Sequence, residues 1–360
     1  MKTVKISRTA PLARLRKRLS YPVKHLNTVV VGLNGVRNGI VTKASELSVR
    51  WDIGDAVRTT DEARGFAIAS LVVAACDALD QYLQGLGNSP SPIASEDLRS
   101  ILRGDTQINA SGAVTPNATD LESLSKKLLA VPFKDGRSVL RAFTEKHYGK
   151  AHTPSLRARF DALVEYTRDF PPNAAAPAPL KESYSAAITL LLVWRNLIVH
   201  DERKDSLSEI KRLALVADAA CLEKDHAAID IQKTLHQFDA RKPPTLKDVS
   251  TLVSILLRSV ATLDAIAIYE CDVLAYFRET AWSCVRTLDE KQKFVETLRH
   301  GSLNARIKKL MPILSGQAFV PESFAEKSGV FPAKIVDLHK TFLAKDSQLD
   351  FLLTSDYLSD

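Results

Sequence analysis

The stretch "ITLLLVWRNLIVHDERKD", Ile188 to Asp205, decides how this chain is read. From Ile188 to Val199 the only polar side chains are Thr189, Arg195 and Asn196, and His200 follows directly. Leu190, Leu191, Leu192, Val193, Trp194, Leu197, Ile198 and Val199 surround a helix on every side, so the segment is expected to be buried against protein or against a second subunit. Polar groups in such a place need partners, because an unpaired buried charge costs several kcal/mol.

Outward from that helix, nearly every long segment repeats its apolar residues at helical spacing, which predicts an all-α fold. Only "TVVVG" (Thr28 to Gly32) reads as a strand. Helix starts are expected at Thr59–Glu62, Thr119–Glu122 and Ser206–Glu209, where a hydroxyl precedes a glutamate by three residues and each side chain can satisfy a free amide of the other. One long helix is expected from Asp61 to Leu86. Residues 104 to 118 read as a loop, and helical patterns resume at 119–131, 137–148 and 154–170. The prolines of "PPNAAAPAP" (Pro171 to Pro179) make an extended spacer before the helix of interest. An amphipathic segment is expected from Ser206 to about Phe238, and "RKPPT" (Arg241 to Thr245) marks a boundary. The organisation that follows is a basic N-terminal arm (1–45), a helical domain (46–240, with 90–170 a candidate insertion) and a helical C-terminal module (245–360).

The 360 residues are 45% apolar, enough for a substantial core. No uninterrupted apolar run reaches the roughly 18–20 residues of a membrane span, and no secretory leader is recognisable, so a cytoplasmic protein without membrane contact is expected. Cys76, Cys221, Cys271 and Cys284 have no metal-ligand spacing and read as reduced thiols; no metal and no cofactor is expected. The net charge of +7 is unevenly placed. Residues 1–45 hold ten Lys or Arg and no acid, whereas the remainder carries 39 bases and 42 acids. The arm, with Arg14, Arg16, Lys17 and Arg18 in "ARLRKRL", reads as an RNA-phosphate contact, as a solvated tail, or as an organelle-targeting peptide.

Asn196 and His200, four residues apart, share a helix face, and a long arginine at 195 can curl toward it. A guanidinium is the preferred fork for a phosphate. An imidazole exchanges a proton near neutral pH, and an amide holds an oxygen without adding charge. Together these suit a phosphodiester beside a 2′-hydroxyl, which only RNA offers.

The string R-N-L-I-V-H, Arg195 to His200, resembles the R-x(4–6)-H motif of HEPN domains, in particular its R-N-x-x-x-H form. The resemblance covers about residues 55–238 and implies an α-helical, HEPN-like bundle that dimerises with the active site at the interface. It further implies a metal-independent endoribonuclease of the toxin or abortive-infection, antiphage-defence kind. Arg195 would hold the scissile phosphate, His200 would transfer the proton of the 2′-hydroxyl or leaving group, and Asn196 would position one of them. With 24 arginines and eight histidines, about 1.6 such spacings are expected by chance, and the chain has three. Arg18–His25 spans Pro22, and Arg141–His147 falls on a polar helix. Only Arg195–His200 adds the asparagine and the apolar helix. Asp201, directly after His200, departs from the small residue common in the family and favours the imidazolium.

Further candidates follow. Asp77 and Asp80, in "CDALDQYL", are either a polar stripe or groups that orient Arg195 or His200. Arg141 and His147 are either surface residues or a second half-site. The rival reading of the chain is a non-catalytic helical RNA- or nucleotide-binding or protein-interaction protein. A third makes residues 245–360 a protein-interaction or sensor module that holds a nuclease inactive until a trigger appears; a regulatory protein partner is a further expectation.

Overall fold

The computed structural model describes residues 3–6, 8–40, 55–89, 92–105, 107–109, 126, 150–168, 178–200, 206–226 and 229–286, together with 308, 309, 311, 312, 314, 319–321 and 334–337. In chain order the elements are β1 (Thr3–Ile6), α1 (Ala10–Arg37), α2 (Ala56–Gly87), α3 (Glu96–Arg103), β2 (Gln107–Asn109), β3 (Lys150–His152), α4 (Leu156–Arg168), α5 (Glu182–His200), α6 (Glu209–Ala217), α7 (Ala219–Asp225), α8 (Ile231–Asp239), α9 (Leu246–Glu270), α10 (Val273–Arg286), β4 (Phe319–Pro321) and β5 (Lys334–Asp337). Helices dominate, as the periodicity predicts. The strands form a three-stranded antiparallel sheet, β4-β1-β5, and a β2-β3 pair.

Helix α5 runs through the centre, with every side chain from Ser183 to Trp194 buried. Around it pack α2, α4, α6 and α9. Thr189, the polar residue deepest in that run, is satisfied: its hydroxyl donates to the Ser185 carbonyl at 3.0 Å and accepts from Lys211 Nζ at 2.6 Å. Helix α9 buries Val249, Leu252, Leu256, Val260 and Leu263 in the same core. The boundary expected at Arg241–Thr245 is therefore a tight connection between packed helices. Arg241 there adopts φ 54°. A Thr245/Asp248 capping box, in which side chain and backbone satisfy each other reciprocally, starts α9.

Several local expectations are corrected. Residues 10–37, expected within an arm, form a 28-residue helix whose Leu12, Leu15, Leu19 and Leu26 enter the core against α2. "TVVVG" is helical within it. Its β-branched residues prefer strands by about 1 kcal/mol at most, less than the packing of a continuous helical stripe returns. Pro22 also lies inside α1, where it leaves the Arg18 carbonyl without its usual donor. Helix α2 begins at Ala56, because the Asp55 side chain accepts from the Val57 and Arg58 amides; Thr59–Glu62 is already inside it. The Ser206–Phe238 segment is three short helices, with Ser208 as the first cap. The Thr119–Glu122 cap lies outside the described residues.

The N-terminal segment is locked to α9 and α10. Thr9 caps α1 and donates its amide to Asp264 Oδ2 at 2.7 Å and its hydroxyl to Asp264 Oδ1. The Tyr82 hydroxyl reaches Asp264 Oδ1 at 3.3 Å, and the Ala10 amide donates to the Tyr276 hydroxyl at 2.8 Å. Phe319 of β4 packs between Tyr276 and Phe277. By length and composition alone, α2 and α9 are apolar enough to cross a membrane, contrary to the expectation from uninterrupted apolar runs; 50% and 78% of their most apolar windows are buried inside the protein. Such windows are also what core helices of this length present.

Candidate active site

The burial of α5 stops at Arg195. Trp194 is fully buried, its ring edge-on to Phe238 at 5.6 Å and its Nε1 donating to the Lys242 carbonyl at 3.4 Å. This anchor fixes the helix rotation one residue before the motif. From there Arg195, Asn196, Leu197 and Ile198 are half-buried, and Val199 and His200 are exposed. The expectation of burial on all sides thus fails in the last turn. The polar set stands at the rim of the core.

At that rim the three motif residues meet. Arg195 Nη1 lies 2.9 Å from His200 Nε2 and 3.3 Å from Asn196 Oδ1. A guanidinium has hydrogens to give and no lone pair to offer. In this contact His200 Nε2 is therefore the acceptor. Arg195 Nε is buried and has no acceptor among the described residues, which leaves a directed donor unspent.

The wall behind Arg195 is α2. The Cys76 thiol is buried there, and burial pushes its pKa up to about 12 against the opposing pull of the Arg195 guanidinium. It is a structural thiol. Nothing in the cysteine pattern marked Cys76 as the residue beside Arg195. Asp77 follows it on the exposed side of α2, and among the described residues no hydrogen bond or ion pair joins it to Arg195 or His200. Asp80 is engaged elsewhere. Its carboxylate takes a hydrogen bond from Arg159 Nη2 and one from Gln84 Nε2 at 3.1 Å, while Arg159 Nη1 donates to the Leu102 carbonyl at 3.2 Å. Asp80 thus ties α2 to α3 and α4, a task that burial of Arg159 makes necessary and that spacing along one helix could not reveal.

Arg141 and His147 lie outside the described residues. Arg14, Lys17 and Arg18 sit on the exposed surface of α1, and Arg16 is near enough to Asp264 to feel its charge. Among the described residues no group of three or more His, Cys, Asp or Glu is arranged to hold a metal ion. None of the four cysteines is in a disulfide; Cys76, Cys271 and Cys284 are buried and Cys221 is exposed. No protein-family model, no curated protein and no solved structure matches this chain.

Proposed function

We propose that the chain is a HEPN-like endoribonuclease that needs no metal, with Arg195, Asn196 and His200 as its catalytic set. One observation carries the reading: the guanidinium of Arg195 is shared between Asn196 and His200 at the solvent-facing end of an otherwise buried helix. In the resting arrangement Arg195 occupies the His200 Nε2 lone pair. A scissile phosphate draws the guanidinium to its own oxygens, a charge-assisted and bidentate bond being the stronger one. That frees Nε2 to take the proton of the neighbouring 2′-hydroxyl. The 2′-oxygen attacks phosphorus, the bond to the 5′-oxygen breaks, and that oxygen leaves with a proton. The products are a 2′,3′-cyclic phosphate and a 5′-hydroxyl end.

A second copy of α5 across a two-fold axis supplies the acid for the leaving oxygen, and the exposed Val199 is the apolar contact nearest to that seam. On this reading the protein acts in the cytoplasm as a toxin or defence effector, held or released by a regulatory partner. The test is end-group analysis. Purified protein in EDTA is incubated with unstructured RNA and with the same sequence made as DNA. Cleavage of the RNA alone, to ends that only a cyclic-phosphate-opening phosphatase can process, is expected. Cleavage of both, or ends with a free 3′-hydroxyl, contradicts the 2′-hydroxyl route.

A further inference from the structure

Helix α1 has a second kind of surface. Over its 28 residues it contains no Asp or Glu. At about 100° per residue, Arg14, Lys17, Arg18, Tyr21, Lys24 and His25 fall within one arc of about 120°. That arc lies opposite the leucines at 12, 15, 19 and 26 that hold α1 on the core, and all six side chains are exposed. Arg16 falls outside it. Among the described residues no carboxylate pairs with Lys17, Arg18 or Lys24. Toward the C-terminal end of the row the Tyr21 and His25 rings lie nearly parallel, 21° apart in plane with centroids 6.4 Å apart. Pro22 does not separate Arg18 from His25: both are on one continuous helix, two turns apart on one face.

Helix α1 packs on α2, the wall of the candidate active site, although the row faces away from it. Helices α1 and α2 run antiparallel, with Gly85 beside Pro11 and Arg14, Asn34 bonded to Arg64, and Arg37 paired with Asp61. That register puts Tyr21 and His25 at the level of Cys76, the residue beside which Arg195 stands.

A regular cation row asks for a polyanion, and two rings set among the cations ask for flat, stackable partners; unpaired nucleobases on a phosphate chain supply both. An anionic membrane fits less well, since Leu12, Leu15, Leu19 and Leu26 of the basic stretch are buried in the core and the exposed Val29 and Val31 lie beyond its last cation. We propose that this face of α1 is a platform for single-stranded RNA, with phosphates along Lys17, Arg18 and Lys24 and a base on Tyr21 and His25. The platform stands on its own observations; only the idea that the bound strand continues to Arg195 rests on the nuclease reading.

The experiment is fluorescence anisotropy with the full chain and a short unstructured RNA carrying 2′-O-methyl at every ribose, so that no cleavage intervenes. The triple variant Lys17→Gln/Arg18→Gln/Lys24→Gln is expected to bind at least about tenfold more weakly and to flatten the salt dependence by about two units of slope. Tyr21→Ala is expected to weaken binding about tenfold with the salt slope unchanged, and Tyr21→Phe to restore it. Melting temperatures stay at the wild-type value, because these side chains face solvent. Unchanged RNA affinity in both variants overturns the proposal. So does a duplex of the same sequence bound as tightly and with the same dependence on Tyr21, or loss in the triple variant of binding to phosphatidylserine vesicles alone. Platform binding in a protein that cleaves no RNA supports this inference and counts against the nuclease reading only.

Discussion

Asp264 on α9 and Arg195 on α5 are both charged residues carried by strongly apolar helices, and their surroundings differ in what is left over. Asp264 is completely enclosed, and each carboxylate oxygen accepts from Thr9, with Tyr82 as a further donor. Nothing is spare, and the cluster joins α1, α2 and α9. Arg195 stands at the rim, shares one amino group between two partners, and keeps Nε without an acceptor. Polar groups whose bonds are all made deep inside the protein hold a fold together; a guanidinium whose contacts are made at a solvent-facing rim can exchange them for a ligand.

The contrast sets opposite expectations for the two sites, beginning with the largest effect on stability. Asp264→Ala leaves the Thr9 amide and hydroxyl and the Tyr82 hydroxyl without an acceptor. A loss of roughly 3–5 kcal/mol is expected from urea unfolding. A loss under about 1 kcal/mol would mean that the cluster is not the lock described.

A pH scan sharpens the same point. Burial outweighs the three donors and pushes the Asp264 pKa up from 3.8 to about 6. Between those values the folded protein keeps a proton that the unfolded chain has released, so stability falls as pH rises from about 4 to about 6 and is flat above. The change attributable to this group is about 3 kcal/mol. Unfolding free energies measured across that window should show the decline, and Asp264→Asn should remove it.

A smaller structural effect is expected where α2 meets α3. A Cβ at Gly87 would lie 2.7 Å from the Arg99 carbonyl oxygen and 2.8 Å from the Arg103 nitrogen. Both are backbone atoms, so Gly87→Ala forces the helices apart and should cost about 1–3 kcal/mol, read as a lower melting temperature.

The same helix, α5, divides what sequence reading recovers from what it does not. Its apolar run identified a central helix, and the spacing of Arg195, Asn196 and His200 anticipated that they share one turn of surface. The run did not reveal where burial ends. Leu197, Ile198 and Val199 are as apolar as the residues before them, and composition cannot distinguish a side chain facing a neighbouring helix from one facing a seam. Asp264 was legible by the criterion that singled out Arg195, a lone charge inside "ATLDAIAIY"; its partner Thr9 lies too far away in sequence for any periodicity to connect them. Asp80 is the converse case, an acid in a suggestive place whose true partner, Arg159, comes from another helix. "TVVVG" reads as a strand because β-branched residues report a local preference, whereas α1 is decided by its long-range packing on α2.

The contrast between the two charged sites is tested most directly by His200→Ala, followed by melting and by RNA cleavage in EDTA on the same preparation. An exposed side chain whose only described bond is to Arg195 should leave stability within about 0.5 kcal/mol of wild type. Cleavage should fall by at least about 100-fold. A protein that melts several degrees lower while cleaving, or failing to cleave, as the wild type does would contradict the account: it would make the end of α5 a structural cluster of the same kind as Asp264.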